Sequence, residues 1–319
     1  MLRAFWRTTF LFLAPVLLLL VALEIGLRRI PNDYAYKNER LVRDGAGLRF
    51  LVLGSSHAYR GVEPDSMGGA GFNAANISQD LSYDRAVLEH YLPHLPKLEY
   101  IVLPVSYGSL GGRLELGAEA WRVKNYTLYM GIDKDASNIK HYVELLNRPV
   151  RDEVRMLRRY LTEGKDNRVC GASGAATKTM GAASDLDRSG EAAAARHTHP
   201  STDRMDFGRK ELKALVQLAT EHGVHVFLFA PPAWRTYRDR LDSAQLHGVI
   251  TTCEQLDREH AEVDYIDLLA DPRFIKSDFA DADHVSAAGQ AKLSRILRAW
   301  IDSARTATGP VPLPGNDHP

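Results

Sequence analysis

The chain has 319 residues, of which 45% are hydrophobic and 25% charged, with 40 basic side chains balancing 40 acidic ones. Those are globular proportions, with room for one large domain or two ordinary ones. The even charge, without a basic run or tail, excludes the usual signature of a nucleic-acid-binding protein.

The N-terminus carries the strongest compositional signal. Thr8 to Leu23 is uncharged and dominated by Leu, Phe, Val and Ala, and extension to Leu27 adds only Glu24. Twenty residues at about 1.5 Å each match the roughly 30 Å hydrocarbon core of a bilayer, so residues 1–30 read as a transmembrane helix and the membrane as a partner. Val21-Ala22-Leu23-Glu24 makes a poor small-x-small cleavage site, which favours an uncleaved anchor over a signal peptide. Arg3 and Arg7 before the segment are matched by Arg28 and Arg29 after it, so loop charge nearly ties on orientation. Residues 31–48 are polar, with a turn signal at Pro31-Asn32-Asp33, and read as a juxtamembrane connector.

Four short apolar runs follow, at Arg49–Gly54, Tyr100–Val105, Val224–Ala230 and Val263–Leu268, each of the length of a buried parallel strand. Helix-like stretches are expected at 83–95, 139–162, 207–222, 238–260 and 287–301. This alternation implies right-handed βαβ units and an α/β fold over residues 49–305, a three-layer αβα sandwich with a parallel sheet of flavodoxin-like type. Ligands bind such sheets beyond the carboxyl ends of the strands, so the chemistry belongs on the loops after Leu53, Val105, Ala230 and Leu268. One stretch breaks the pattern. Residues 164–206 are rich in Gly, Ala, Ser and Thr and lack hydrophobic periodicity, which reads as a flexible insert, either disordered or a lid that orders over substrate. The tail, 306–319, contains Pro310, Pro312 and Pro314 and is expected to be loose. Cys170 and Cys253 share no metal-ligand spacing, so they are either a disulfide pair or two unrelated thiols.

Two motifs could carry chemistry. The first strand ends in Gly54-Ser55-Ser56-His57, where a glycine permits a sharp turn and presents a serine at the ligand crevice. Near the other end, Asp281-Ala282-Asp283-His284 precedes the last helix, and an Asp three residues before a His can fix its tautomer while the other ring nitrogen faces a nucleophile. Each alone is weak, since Gly-Ser-Ser turns are common and the chain has 12 histidines.

Together, in this order and at opposite ends of the domain, the two motifs resemble the SGNH/GDSL hydrolases, whose first block is Gly-x-Ser and whose last is Asp-x-x-His. The resemblance spans about Arg49 to Ile301. It implies Ser56 as nucleophile, His284 as general base and Asp281 as its orienting partner, with no cofactor and no metal. Ser55 stands where many members have Asp, as in membrane-anchored members resembling the DltD and alginate O-acetylation proteins.

The middle blocks depart from the pattern. Phe72 to Asp80 lacks the second-block glycine, so Asn76, Ser78 and Gln79 become the oxyanion or substrate candidates, through a backbone amide beside that of Ser56 or through the Asn76 side chain. Ser106-Tyr107-Gly108-Ser109 lacks the third-block Asn, a donor whose loss costs about 2.7–4 kcal/mol. His57 is expected at the surface or behind the nucleophile. Asp283 is poorly placed for the His284 ring nitrogen, and Trp234 either packs or stacks on a sugar.

The resemblance implies acyl transfer or ester hydrolysis at the outer face of the cytoplasmic membrane, on acyl groups, commonly acetyl, of an exported polysaccharide or envelope polymer. An acyl donor, a glycan acceptor and an acyl-transporting membrane protein are the partners it suggests. A plain periplasmic carbohydrate esterase or lipase-like hydrolase and an inactive envelope-binding module remain the alternatives.

Overall fold

The computed structural model describes residues 2–177, 185–199 and 201–308. Its helices are α1 (Leu2–Arg28), α2 (Asp33–Asp44), α3 (Ser56–Gly61), α4 (Pro64–Met67), α5 (Leu81–Tyr91), α6 (Val123–Asn125), α7 (Val150–Glu163), α8 (Leu186–His197), α9 (Thr202–Glu221), α10 (Arg235–Arg238), α11 (Ser243–Glu259) and α12 (Ala287–Thr308). The strands are β1 (Phe50–Val52), β2 (Gly71–Asn73), β3 (Tyr100–Pro104), β4 (His225–Ala230) and β5 (Val263–Asp267). By internal contacts the chain divides into one unit of residues 1–39 and 118–169 and another of 40–117 and 170–319.

The larger unit is the expected α/β sandwich. Its five strands run parallel in the order β2-β1-β3-β4-β5, with Val52 level with Val102 and Leu103 with Leu228. Val52, Val102, Phe227 and Leu228 are fully buried, which is why these runs read as continuous apolar stretches rather than as alternating ones. Phe227 meets Trp300 of α12 edge to face, and α5 and α9 pack together. Four strands coincide with the four apolar runs. The fifth, β2, falls outside those runs because Gly71-Phe72-Asn73 holds only one apolar side chain. A Cβ on Gly71 would overlap the Phe50 ring at 1.9 Å, so only glycine lets β2 sit against β1.

Two helix expectations and the reading of the insert are corrected. Residues 139–162 form one α-helix only from Val150; Ile139–Tyr142 and Glu144–Leu146 are separate 3₁₀ turns. The cause is Pro149, which pushes Arg148 out of the helical region. The stretch 238–260 is helical from Ser243, where the Asp242 carboxylate caps by accepting from Gln245 N. The stretch 164–206 holds α8, an alanine-rich helix with good intrinsic propensity, and the start of α9. Residues 178–184 of that stretch lie outside the described residues, as does the tail from 309; α12 extends through Thr308.

In the smaller unit, α1 is long and apolar enough to cross a membrane, and most of its side chains are exposed. Its one interior charge is partnered, since the Glu24 carboxylate accepts from the amides of Glu144 and Leu145 at 3.0 and 3.1 Å and pairs with Arg28. The connector residues hold α2, and a buried ion pair joins Lys124 and Glu144.

Candidate active site

β1 delivers the nucleophile candidate. After Leu53 the chain turns sharply at Gly54, whose φ of +119° and 2.9 Å approach to the Pro104 ring exclude a side chain, and Ser56 opens α3. The imidazole arrives from the loop before α12. That loop is a tight hairpin in which Ala280 N donates to His284 O at 2.9 Å, and His284 N and Asp283 N donate to Asp281 Oδ1 at 2.8 and 3.0 Å.

The result is a row of three side chains. Ser56 Oγ lies 2.8 Å from His284 Nε2, and His284 Nδ1 lies 3.0 and 3.1 Å from the two Asp281 oxygens. Asp281 thus holds the proton on Nδ1 and leaves Nε2 to accept from the serine hydroxyl. Residues 228 positions apart in sequence meet at the carboxyl edge of the sheet.

Three further groups surround the imidazole. Asp283, 2% exposed, brings Oδ1 to 3.5 Å from His284 Nδ1. The backbone does not turn it away as sequence position suggested, although Asp281 remains the nearer partner. His57 is buried, with its ring stacked on His284 at 4.8 Å and 11°. His197, from α8, hydrogen-bonds Tyr237 at 3.0 Å, and His57 Nε2 and His197 Nδ1 both approach Asp283 Oδ2 at 3.8 Å. His197 and Tyr237 have no local spacing to mark them. α8 is bound to the site's loops: Ala282 N donates to Ser189 Oγ at 3.1 Å, and Thr236 Oγ1 donates to Leu186 O at 2.7 Å.

Charge is divided unevenly among these groups. Burial works against the His284 cation, but hydrogen bonds to Asp281 and Asp283 outweigh it and raise its pKa to about 9. Burial, then the charge of His284, pushes His57 down to about 3, and burial lowers His197 to about 4. Burial likewise opposes the Asp283 carboxylate, yet the facing imidazoles of His284, His57 and His197 hold it below the usual carboxylate range. One anion therefore faces two neutral rings and one ring that favours its cation.

The remaining candidates brace the nucleophile loop. Asn76 and Gln79 are buried, and Asn76 Nδ2 donates to Gln79 Oε1 at 2.9 Å and to Ala74 O at 3.3 Å. Gln79 Nε2 and Gly54 N both donate to Asp84 Oδ1 at 2.6 Å. The Asn76 amide is therefore directed at its own loop and does not replace the third-block side chain. Ser78, partly exposed, takes a left-handed φ of +61° at the turn's apex. Burial raises the Asp84 pKa to about 7. Trp234 packs on Phe279, with ring centroids 5.6 Å apart, and Cys170 and Cys253 are buried free thiols.

Among the described residues, His57, Asp283 and His284 bring ligand-type atoms within 4.8 Å of one another. The stacked rings direct their lone pairs side by side rather than toward one point, and both His284 nitrogens are already engaged, so the donor set does not suit a metal ion.

No protein-family model matches the chain, and no curated protein matches it. Among solved structures, it is similar to a Bacteroides fragilis NCTC 9343 protein described as a "putative acylhydrolase", at 12% identity and a TM-score of 0.39, over 85% of this chain and 96% of that one.

Proposed function

We propose that the chain is a membrane-anchored serine esterase or acyltransferase that works through an acyl-Ser56 intermediate. The observation that carries this reading is the 2.8 Å contact of Ser56 Oγ with His284 Nε2, backed by Asp281 at 3.0 Å. In the reaction His284 Nε2 takes the hydroxyl proton as Ser56 Oγ bonds to the ester carbonyl carbon. Asp281 and Asp283 stabilise the imidazolium, and the oxyanion meets the Ser56 amide. The carbonyl re-forms, the ester C–O bond breaks, and His284 returns its proton to the departing alkoxide. Water or an acceptor hydroxyl then releases the acyl group by the same steps reversed.

The substrate class is an O-acyl group, acetyl among the candidates, on an exported polysaccharide or envelope polymer, with α1 as the anchor and the α/β unit on the outer face. Support for this class is the site's likeness to the SGNH pattern together with an apolar α1. An acyl-transporting membrane protein fits as donor partner. Hydrolysis and transfer use the same residues and differ in product, free acid in one case and acylated acceptor in the other. The test is the turnover of p-nitrophenyl acetate and of an O-acetylated polysaccharide by the full chain in detergent. Wild type should release p-nitrophenol, and Ser56→Ala and His284→Ala should each lose on the order of 10³-fold or more. Equal rates in all three proteins would leave only the inactive envelope-binding module.

A further inference from the structure

The smaller unit leaves one helix face uncovered. Val150, Val154, Leu157 and Leu161 recur on α7 at i, i+4, i+7 and i+11, which sets them along one side of the helix. Leu157 packs on α1, where a Cβ added to Gly26 would come within 2.9 Å of it. The other three are exposed, Leu161 at 72%. Ile139 and Leu146, on the 3₁₀ turns before α7, are exposed as well. Lone exposed leucines are ordinary on a protein surface, but these five apolar side chains come from one short segment. That segment is attached where α1 stops being uncharged. Glu24, the first charge after Leu23, accepts from the amides of Glu144 and Leu145, immediately before Leu146, and Gly26 meets Leu157. The flank of the stripe is basic. Arg151 and Arg155 share Asp152, at 3.8 and 3.1 Å, and Glu163 is held by Lys165 at 2.7 Å. Arg158 and Arg159, both exposed, have no carboxylate at ion-pair distance among the described residues.

We propose that α7 lies in the interface of the bilayer that α1 crosses, with Val150, Val154 and Leu161 among the upper carbons of the lipid chains and Arg158 and Arg159 on anionic phosphate headgroups. The inference goes beyond the acyl-Ser56 reading and rests only on α1 as the anchor. An apolar stripe bordered by arginines is the make-up of a helix that lies in a membrane surface. The stripe keeps its side chains out of water, and the guanidinium groups find phosphates to replace the carboxylates they lack. Position favours lipid as the occupant. With α1 inserted, a stripe attached at Glu24 and Gly26 is already at the edge of the hydrocarbon, so its contact with lipid is in effect intramolecular and needs little affinity of its own.

The test places a nitroxide spin label on Val154→Cys, Leu161→Cys or Thr162→Cys in the full chain, reconstituted into vesicles of phosphatidylcholine alone or mixed with phosphatidylglycerol. It reads collision of the label with oxygen, which concentrates in lipid, against a water-soluble nickel chelate. The unsubstituted chain gives the background from the buried Cys170 and Cys253. Thr162 is exposed on the arginine flank, about 100° around the helix from Leu161. Labels at Val154→Cys and Leu161→Cys should favour oxygen at a depth of about 5–10 Å, and the label at Thr162→Cys should favour the chelate. Phosphatidylglycerol should deepen the first two labels. Arg158→Glu combined with Arg159→Glu should reverse that gain, as should salt at about 1 M, which cuts the screening length to about 3 Å and leaves the sequence intact. Full chelate access at Val154→Cys and Leu161→Cys in both lipids, with the chain still retained through alkaline carbonate, overturns the interfacial helix and leaves the anchor standing. Protection seen only in native membranes also overturns it and assigns this face to a partner protein. A depth indifferent to phosphatidylglycerol, to salt and to the arginine variants overturns the headgroup contact. Release of the chain by alkaline carbonate overturns the α1 anchor instead.

Discussion

At the scale of single residues, the site turns on how two carboxylates share one imidazole. Asp281 lies close to Nδ1 and is partly exposed, whereas Asp283 is buried and slightly farther, and both favour the His284 cation. A base must be neutral to accept a proton, so kcat/KM is expected to be low at neutral pH and to rise through about pH 9. Asp283→Asn should move that inflection to lower pH by removing one of the anions, and an unmoved inflection would remove Asp283 from the account. Asp84 carries the opposite problem, a carboxyl whose charge is disfavoured by burial. Its folded pKa of about 7 exceeds the unfolded value of 3.8, so its contribution to stability is complete below about pH 4 and is lost as pH rises through 7. Asp84→Asn keeps an acceptor for Gly54 N without that cost. Chemical denaturation at pH 5 and pH 8 should therefore show a larger pH-dependent loss in wild type than in the variant.

Among elements, α8 ties the loop that carries His284 to the rest of the unit. Gly190 sits where a Cβ would come 2.6 Å from Thr236 Oγ1 and 2.7 Å from the Thr236 carbonyl carbon, so a larger residue must separate α8 from α10. Gly190→Val is expected to lower kcat/KM by about 10–100-fold, because misplacing supporting groups by about 1 Å costs that much. Limited proteolysis should find new cleavage between residues 185 and 199, and an unchanged digestion pattern with full activity would mean α8 is dispensable. The strands test differently. Phe227 is fully buried between Tyr100 and Trp300, and Phe227→Ala is expected to cost about 3–5 kcal/mol in denaturant unfolding.

Legibility in the sequence follows the range over which each feature is encoded. Gly54 to Ser56 and Asp281 to His284 are local motifs, each built by a single turn, so their residue types and spacing could be read directly. β1, β3 and β4 are legible because they are buried and apolar throughout, and β5 because Val263, Tyr265 and Ile266 keep its run apolar enough. β2 is not, because Gly71-Phe72-Asn73 holds a single apolar side chain and its pairing depends on Gly71 meeting Phe50. The grouping of His57, His197 and Asp283 joins three distant segments, and nothing in the spacing of any one of them refers to the others. α8 was hidden for another reason: its small residues contribute little hydrophobic periodicity, yet Ala193 and Ala194 are buried beside Tyr107 and Tyr237.

At the scale of the whole molecule, an apolar N-terminal helix accompanies a parallel α/β unit. The anchor reading expects the protein to stay with membranes through alkaline carbonate and to be released by detergent, with residues 2–28 still present in its intact mass. Loss of that segment would make it a cleaved signal. The central claim, that Ser56 is an activated nucleophile, has a more direct test in labelling by a fluorophosphonate probe followed by peptide mapping. The adduct is expected on Ser56 alone, with a rate that climbs with pH through about 9 and is abolished in His284→Ala. A folded wild-type protein that stays unlabelled at pH 9, or one labelled equally with and without His284, would contradict it.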